Sequence, residues 1–322
     1  MGRITFINNN SILFERRDET MLIEPYGLNC IRVRSSKNAK LSDEKWTLLD
    51  PLDNSKPVLE GDDKHATLTN GDISVRVSTT NDWGGELCFM RKGKQILTTK
   101  NYGDYVMRYV HTEGDNYRIR YVFNANDGEH IYGLGQEQED AFDRKGTSTE
   151  LVHYNTKSVI PFYYSSLGYG FLWNNPAPGR CETTFNHTMW VADSAYQADF
   201  IVFVGDTPKD VMKTYADLTG YSPMMPKWAA GFWQCKCRYE SQDILLNVAR
   251  EYKRRGIPID AIVIDFFHWT EQGDLKFDPK YWPDPKAMCD ELKEMGIEPV
   301  VSVWPTICLL YTSDAADDKA RV

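Results

Sequence analysis

The chain has 322 residues, 42 % hydrophobic and 26 % charged, which excludes a largely disordered protein and leaves room for about two domains. Its 37 Lys and Arg stand against 46 Asp and Glu, a net charge of −9 with no long basic block, so a nucleic-acid partner is not expected. Nine Trp, 18 Tyr and 14 Phe suit sugar-stacking surfaces, but they read first as an ordinary β-sandwich core.

No apolar run approaches the ~18 residues that a membrane span needs. Polar Asn8, Asn9 and Asn10 lie where a signal peptide would be apolar, so a cytoplasmic protein is expected. The seven Cys are scattered without a C-x-x-C pair, and the six His show no metal-binding spacing, so neither a disulfide framework nor a zinc site is expected.

Residues up to about 225 read as β-structure. Segments 65–69 and 73–77 alternate apolar and polar residues around Asn70-Gly71, which predicts a tight hairpin. A second hairpin is predicted from 160–165 and 169–173, turning at Leu167-Gly168, and a further strand over 200–204. A helix follows, with Thr207 as N-cap, Pro208 at its first position and Gly220 as its stop. Many short strands separated by turn signals predict a β-sandwich.

After Pro223 and Pro226 the pattern changes. A strand is predicted over 229–234. Ser241 caps a helix with Ile244, Leu245, Val248 and Tyr252 on its apolar face, ended by Gly256. Residues 261–264 form a continuous apolar strand, as expected when both faces are covered. Asp284 and Pro285 start a helix with Met288, Leu292 and Met295 on one side, ended by Gly296, and a strand over 299–303 follows. Right-handed crossovers make these strands parallel, the opening of either a doubly wound sheet or a (β/α)8 barrel.

Gly133-Leu134-Gly135-Gln136 resembles the start of a dinucleotide fingerprint, but Gln138 stands where the third glycine would be and the setting is a hairpin region. It reads as backbone turning. Asp265 directly follows the 261–264 strand, at the end where both candidate α/β folds place their sites. It could accept hydrogen bonds from sugar hydroxyls or cap a local turn. Phe266, Phe267, His268 and Trp269 come next; aromatic rings beside a carboxylate suit a sugar subsite, and barrel-rim packing suits them as well.

With these stretches the chain resembles glycoside hydrolase family 31, the α-glucosidases and α-xylosidases. The resemblance rests on Tyr132-Gly133-Leu134-Gly135, Ile160-Pro161-Phe162, Gly168-Tyr169-Gly170-Phe171-Leu172-Trp173, Gly231-Phe232-Trp233-Gln234, Ile264-Asp265-Phe266-Phe267-His268-Trp269, Phe277-Asp278-Pro279 and Trp282-Pro283-Asp284-Pro285, in that order over about residues 125–305. It implies a galactose-mutarotase-like β-sandwich over 1–225, then the start of a (β/α)8 TIM barrel over 226–306. It also implies retaining hydrolysis of terminal α-linked xylose or glucose, leaning to the α-xylosidase-like branch. Two carboxylates about 5–5.5 Å apart carry such a reaction, so no metal or organic cofactor is implied. Asp265 matches the aspartate that binds hydroxyls of the terminal sugar; Phe266, Trp269, Trp233 and Trp304 are expected around the substrate. Asp278 and Asp284 read as structural.

A whole barrel runs to about 250 residues, and fewer than 100 follow Pro226. No stretch matches the family's nucleophile or acid/base segments, so no catalytic residue is assigned. Residues 309–318 resemble translated sequencing-adapter read-through, and 307–322 are expected to be a non-native tail. The expectation is therefore an N-terminal fragment of a family 31 α-glycosidase, acting as a complete protein on oligosaccharides without nucleic-acid or membrane partners. A non-catalytic carbohydrate-binding module and a doubly wound nucleotide enzyme are the rival readings.

Overall fold

A computed structural model of the chain describes residues 2–16, 19–38, 40–79, 86–100 and 108–304. The tail expected at 307–322 lies outside them. The chain divides into two compact units, Met1–Ser222 and Pro223–Val322.

Among the described residues, the first unit holds an eight-stranded antiparallel sheet and two five-stranded sheets. A bridge between Thr99 and Phe123 links the two smaller sheets. Inward side chains of all three form one core. Its centre is a pile of rings: Phe171 lies 5.1 Å from both Trp190 and Phe200, and Trp173 lies 5.9 Å from Trp190. Much of the aromatic content is thus core.

Strand Ala198–Val204 is apolar throughout because both of its faces are covered. Phe200 and Val202 point into the sandwich, whereas Ile201 and Phe203 pack under helix α1, Pro208–Thr219. The expected cap is present: Thr207 accepts from Asp210 N, and the Asp210 carboxylate reciprocates at Thr207 N. Two charges are buried in this sheet as a bidentate pair. Arg32 Nε and an Nη reach Asp199 at 3.0 and 2.7 Å, and Asn174 donates to the same carboxylate at 2.7 Å.

The hairpin of Ser158–Ser165 and Tyr169–Trp173 forms as expected. The hairpin of His65–Asn70 and Ile73–Ser78 forms with its turn one residue later, at Gly71 and Asp72. Asn70 is not a turn residue; it is buried and donates to the carbonyls of Gly27 and Cys30 at 2.7 and 2.9 Å. Gly133 and Gly135 turn the backbone at positive φ across a register shift, and a Cβ on either would strike the neighbouring strand.

The second unit begins a TIM barrel. Its parallel strands are Trp233–Gln234, Ala261–Ile264 and Glu298–Val301, in that spatial order. Helices α2, Gln242–Arg254, and α3, Pro285–Glu294, connect them, capped by Ser241 and Asp284. The buried face of α2 is Leu245, Leu246 and Ala249, with Val248 and Tyr252 beside it; Ile244, expected inside, is 39 % exposed. Met288 and Leu292 bury α3 in the same core.

The strand expected over 229–234 is shorter. Lys227–Ala230 is a 3-10 turn, and pairing starts at Trp233. The reason is tertiary. Asp260 reaches across to accept from Phe232 N at 3.0 Å, and only a glycine at 231 leaves room for its carboxylate. The strand expected over 299–303 runs from Glu298 to Val301.

The two units are sheeted differently, and amide exchange should show it. Ala198–Val204 pairs on both sides within a two-faced core, whereas Glu298–Val301 pairs with a single strand among the described residues. Hydrogen–deuterium exchange of the 322-residue chain should find the first strand protected and the second exchanging far faster. Equal protection would contradict the assigned edge.

Candidate saccharide site

Alternation along the middle parallel strand places the site. Ile262 and Ile264 turn toward α2 and α3 and are buried among their side chains. Val263 points the other way, and the residue after Ile264 follows it. That residue is Asp265, half-buried at the strand's carboxyl end.

The neighbouring strands bring partners to the same end of the sheet. Gln234 pairs with Ile262, so Cys235 emerges one step on; its thiol lies 3.8 Å from Asp265 Oδ2. Burial, with the Asp265 carboxylate adding to it, pushes the Cys235 thiol above its ordinary range. On the other side Ser302 N donates to Ile264 O at 2.9 Å, which carries residues 302–304 past Asp265. Asp265 Oδ1 accepts from Phe266 N at 2.9 Å.

Of the expected residues, Asp265, Phe266, Trp269 and Trp304 are brought together. The Phe266 ring lies 5.1 Å from that of Trp304, and Trp269 lies 6.3 Å from Trp304. Trp304 is 45 % exposed, but Trp269 is buried, packed edge-on to Phe267 and His268. Trp233 leans on Trp228 at 5.5 Å and is 40 % exposed. His268 is buried against Phe277, with Nδ1 3.4 Å from Asp265 O; burial lowers its pKa and favours the neutral ring. Asp278 and Asp284 serve the backbone: Asp278 accepts from Lys280 N, and Asp284 caps α3 through Ala287 N.

Arg238 adds a cation 5.4 Å from the exposed Phe267 ring. Neither Cys235 nor Arg238 was expected at this place. Cys235 could have been found by counting register from the strand ends; nothing local to Arg238 marks it. The arrangement offers a carboxylate acceptor, a thiol and a rim of aromatic faces. Such a set can hold a hydroxylated ring by hydrogen bonds and C–H contacts.

Comparison with known proteins points the same way. Residues 20–182 match the glycosyl hydrolase 31 N-terminal galactose mutarotase-like domain, and residues 222–319 match the glycosyl hydrolases family 31 TIM-barrel domain. An uncharacterized family 31 glucosidase of Pseudescherichia vulneris is 38 % identical over 92 % of this chain and 60 % of its own length. An alpha-xylosidase of Saccharolobus solfataricus is 36 % identical over 74 % of this chain and 34 % of its own. The crystal structure of an α-xylosidase from a soil metagenome, complexed with xylose, superposes with a TM-score of 0.86 at 39 % identity, over 98 % of this chain and 49 % of that one. The chain thus spans from about a third to three-fifths of these three relatives. With both of its units matched in order, the chain belongs to glycoside hydrolase family 31.

Proposed function

We propose that this chain is part of a retaining α-glycosidase that releases terminal, non-reducing α-linked xylose or glucose from oligosaccharides in the cytoplasm. The observation that carries the reading is Asp265, a carboxylate at the carboxyl end of a parallel barrel strand, ringed by Phe266, Trp269 and Trp304. The α-xylosidases among its relatives support xylose as the sugar.

In this reading Asp265 accepts hydroxyls of the terminal sugar. Phe266 and Trp304 shape the pocket wall, and Trp269 holds that wall from behind. Six described cysteines are free thiols, in keeping with a reducing compartment. The chemistry requires one carboxylate to attack the anomeric carbon and another to protonate the leaving oxygen, about 5–5.5 Å apart. Among the described residues the Asp265 carboxylate accepts from Cys235 and Phe266. We place the nucleophile and the acid/base outside this chain. The binding-module reading loses ground because more than half of the described sandwich aromatics are buried.

Three measurements test this. In a full-length enzyme carrying this chain, Asp265→Ala should lower kcat/KM by about tenfold to 100-fold with the fold intact, the loss of a charged hydrogen bond of ~1.5–3 kcal/mol; normal kinetics would refute the assignment. The 322-residue chain alone should show no turnover of aryl α-xyloside or α-glucoside. Turnover that is abolished by substituting one of its own carboxylates would put the catalytic pair inside it. Third, Asp265→Asn should remove the negative charge that helps hold the Cys235 thiol protonated. Alkylation of Cys235 by iodoacetamide near pH 8, read by peptide mass spectrometry, should then speed up, because the thiolate is the nucleophile. An unchanged rate would mean that the two groups are not neighbours.

A further inference from the structure

We propose a second, non-catalytic saccharide site on the sandwich unit, in the cleft beside Trp46. The cleft measures about 350 Å³ and lies wholly within that unit. Trp46, 59 % exposed, forms one wall and presents its indole to solvent. Its backbone sits in the left-handed region, φ 49°, an uncommon place for a bulky side chain. Strain of that kind is retained where surrounding structure or use requires it.

The lining has the chemistry of a neutral polyol site. No Lys or Arg lines it, and Glu44 does, so an anionic ligand would be repelled. Asp199 is already neutralised by Arg32 behind it. The remaining polar groups are amides and hydroxyls. Tyr196 is held by donating to Lys40 O at 2.9 Å, so that wall is preorganised. Asn174 is 2 % exposed at the floor. Its Nδ2 is committed to Asp199, while its Oδ1 has no hydrogen-bond partner. Asn116, exposed at the rim, has its side-chain amide available.

An aromatic face for C–H contacts and a lining of amides and hydroxyls without a cation together select a neutral oligosaccharide. None of these residues belongs to the barrel unit. Such a site would hold substrate chains near the enzyme and add affinity through local concentration.

The test titrates the 322-residue chain with xylotriose and with isomaltotriose, following the Trp46 indole N–H by NMR, its signal identified by its loss in Trp46→Ala. At least one sugar should shift it saturably at millimolar concentration. Other sugar-responsive signals around the cleft should show binding weakened about tenfold in Trp46→Ala, the loss of an aromatic stack, and weakened less in Asn116→Ala. Asp265→Ala should bind at this cleft as the parent does. No saturable shift with either sugar, or equal affinity after Trp46→Ala, would overturn the proposal. So would loss of these shifts in Asp265→Ala. The hydrolytic reading rests on Asp265 kinetics in the full-length enzyme and survives or fails independently.

Discussion

A parallel strand packed against helices on one face must deliver every second side chain to the other, and the candidate site depends on that rule. Ile262 and Ile264 are committed to the helical core, so Asp265 has one side left to occupy. The level at which it emerges is set at the opposite end of the strand. Asp260 binds Phe232 N through its carboxylate, gives its own N–H to Phe232 O at 3.0 Å, and receives Glu298 N at 2.9 Å. One residue thus stitches three strands into a single register. With a one-residue slip the Cys235 thiol would no longer reach the Asp265 carboxylate, and Asp265 itself would face the helices. Gly231 is part of the same device, because a Cβ there would overlap the Asp260 carboxylate.

The sandwich solves a different problem. It buries charge as well as rings, and the main charges are answered. Arg32 and Asp199 meet as a fork within a covered sheet. Glu129 accepts from Ser165 and Tyr169 at 2.6 and 2.7 Å, with Lys145 at 3.3 Å. Removing one member of such a set leaves a buried charge uncompensated, a loss of about 3–5 kcal/mol. The stacked rings fill the centre of the same core, among a majority of aliphatic side chains.

What could be read from the sequence was local. The caps at Thr207, Ser241 and Asp284 form because each side chain bonds to backbone three residues away, a relation independent of the rest of the fold. The alternation around Asp265 is local in the same sense. Where the reading slipped, a distant group intervened. Asn70 was assigned to a turn, but it serves carbonyls some forty residues upstream. The strand start moved from 229 to Trp233 because Asp260 claims the backbone before it. Ile244 looked inward from its spacing, yet the shape of the core prefers Leu246 and Ala249. Trp269 carried the same aromatic signal as Trp304, and only tertiary packing separates the buried ring from the exposed one.

The central claim is that Asp265 receives the hydroxyls of the terminal sugar. The most direct measurement is a crystal structure of a full-length enzyme carrying this chain, soaked with xylose. The account predicts a sugar ring whose hydroxyls lie within hydrogen-bond distance of the Asp265 carboxylate, with Phe266 and Trp304 against its faces. A sugar bound at the barrel mouth with Asp265 turned away from every hydroxyl would contradict it.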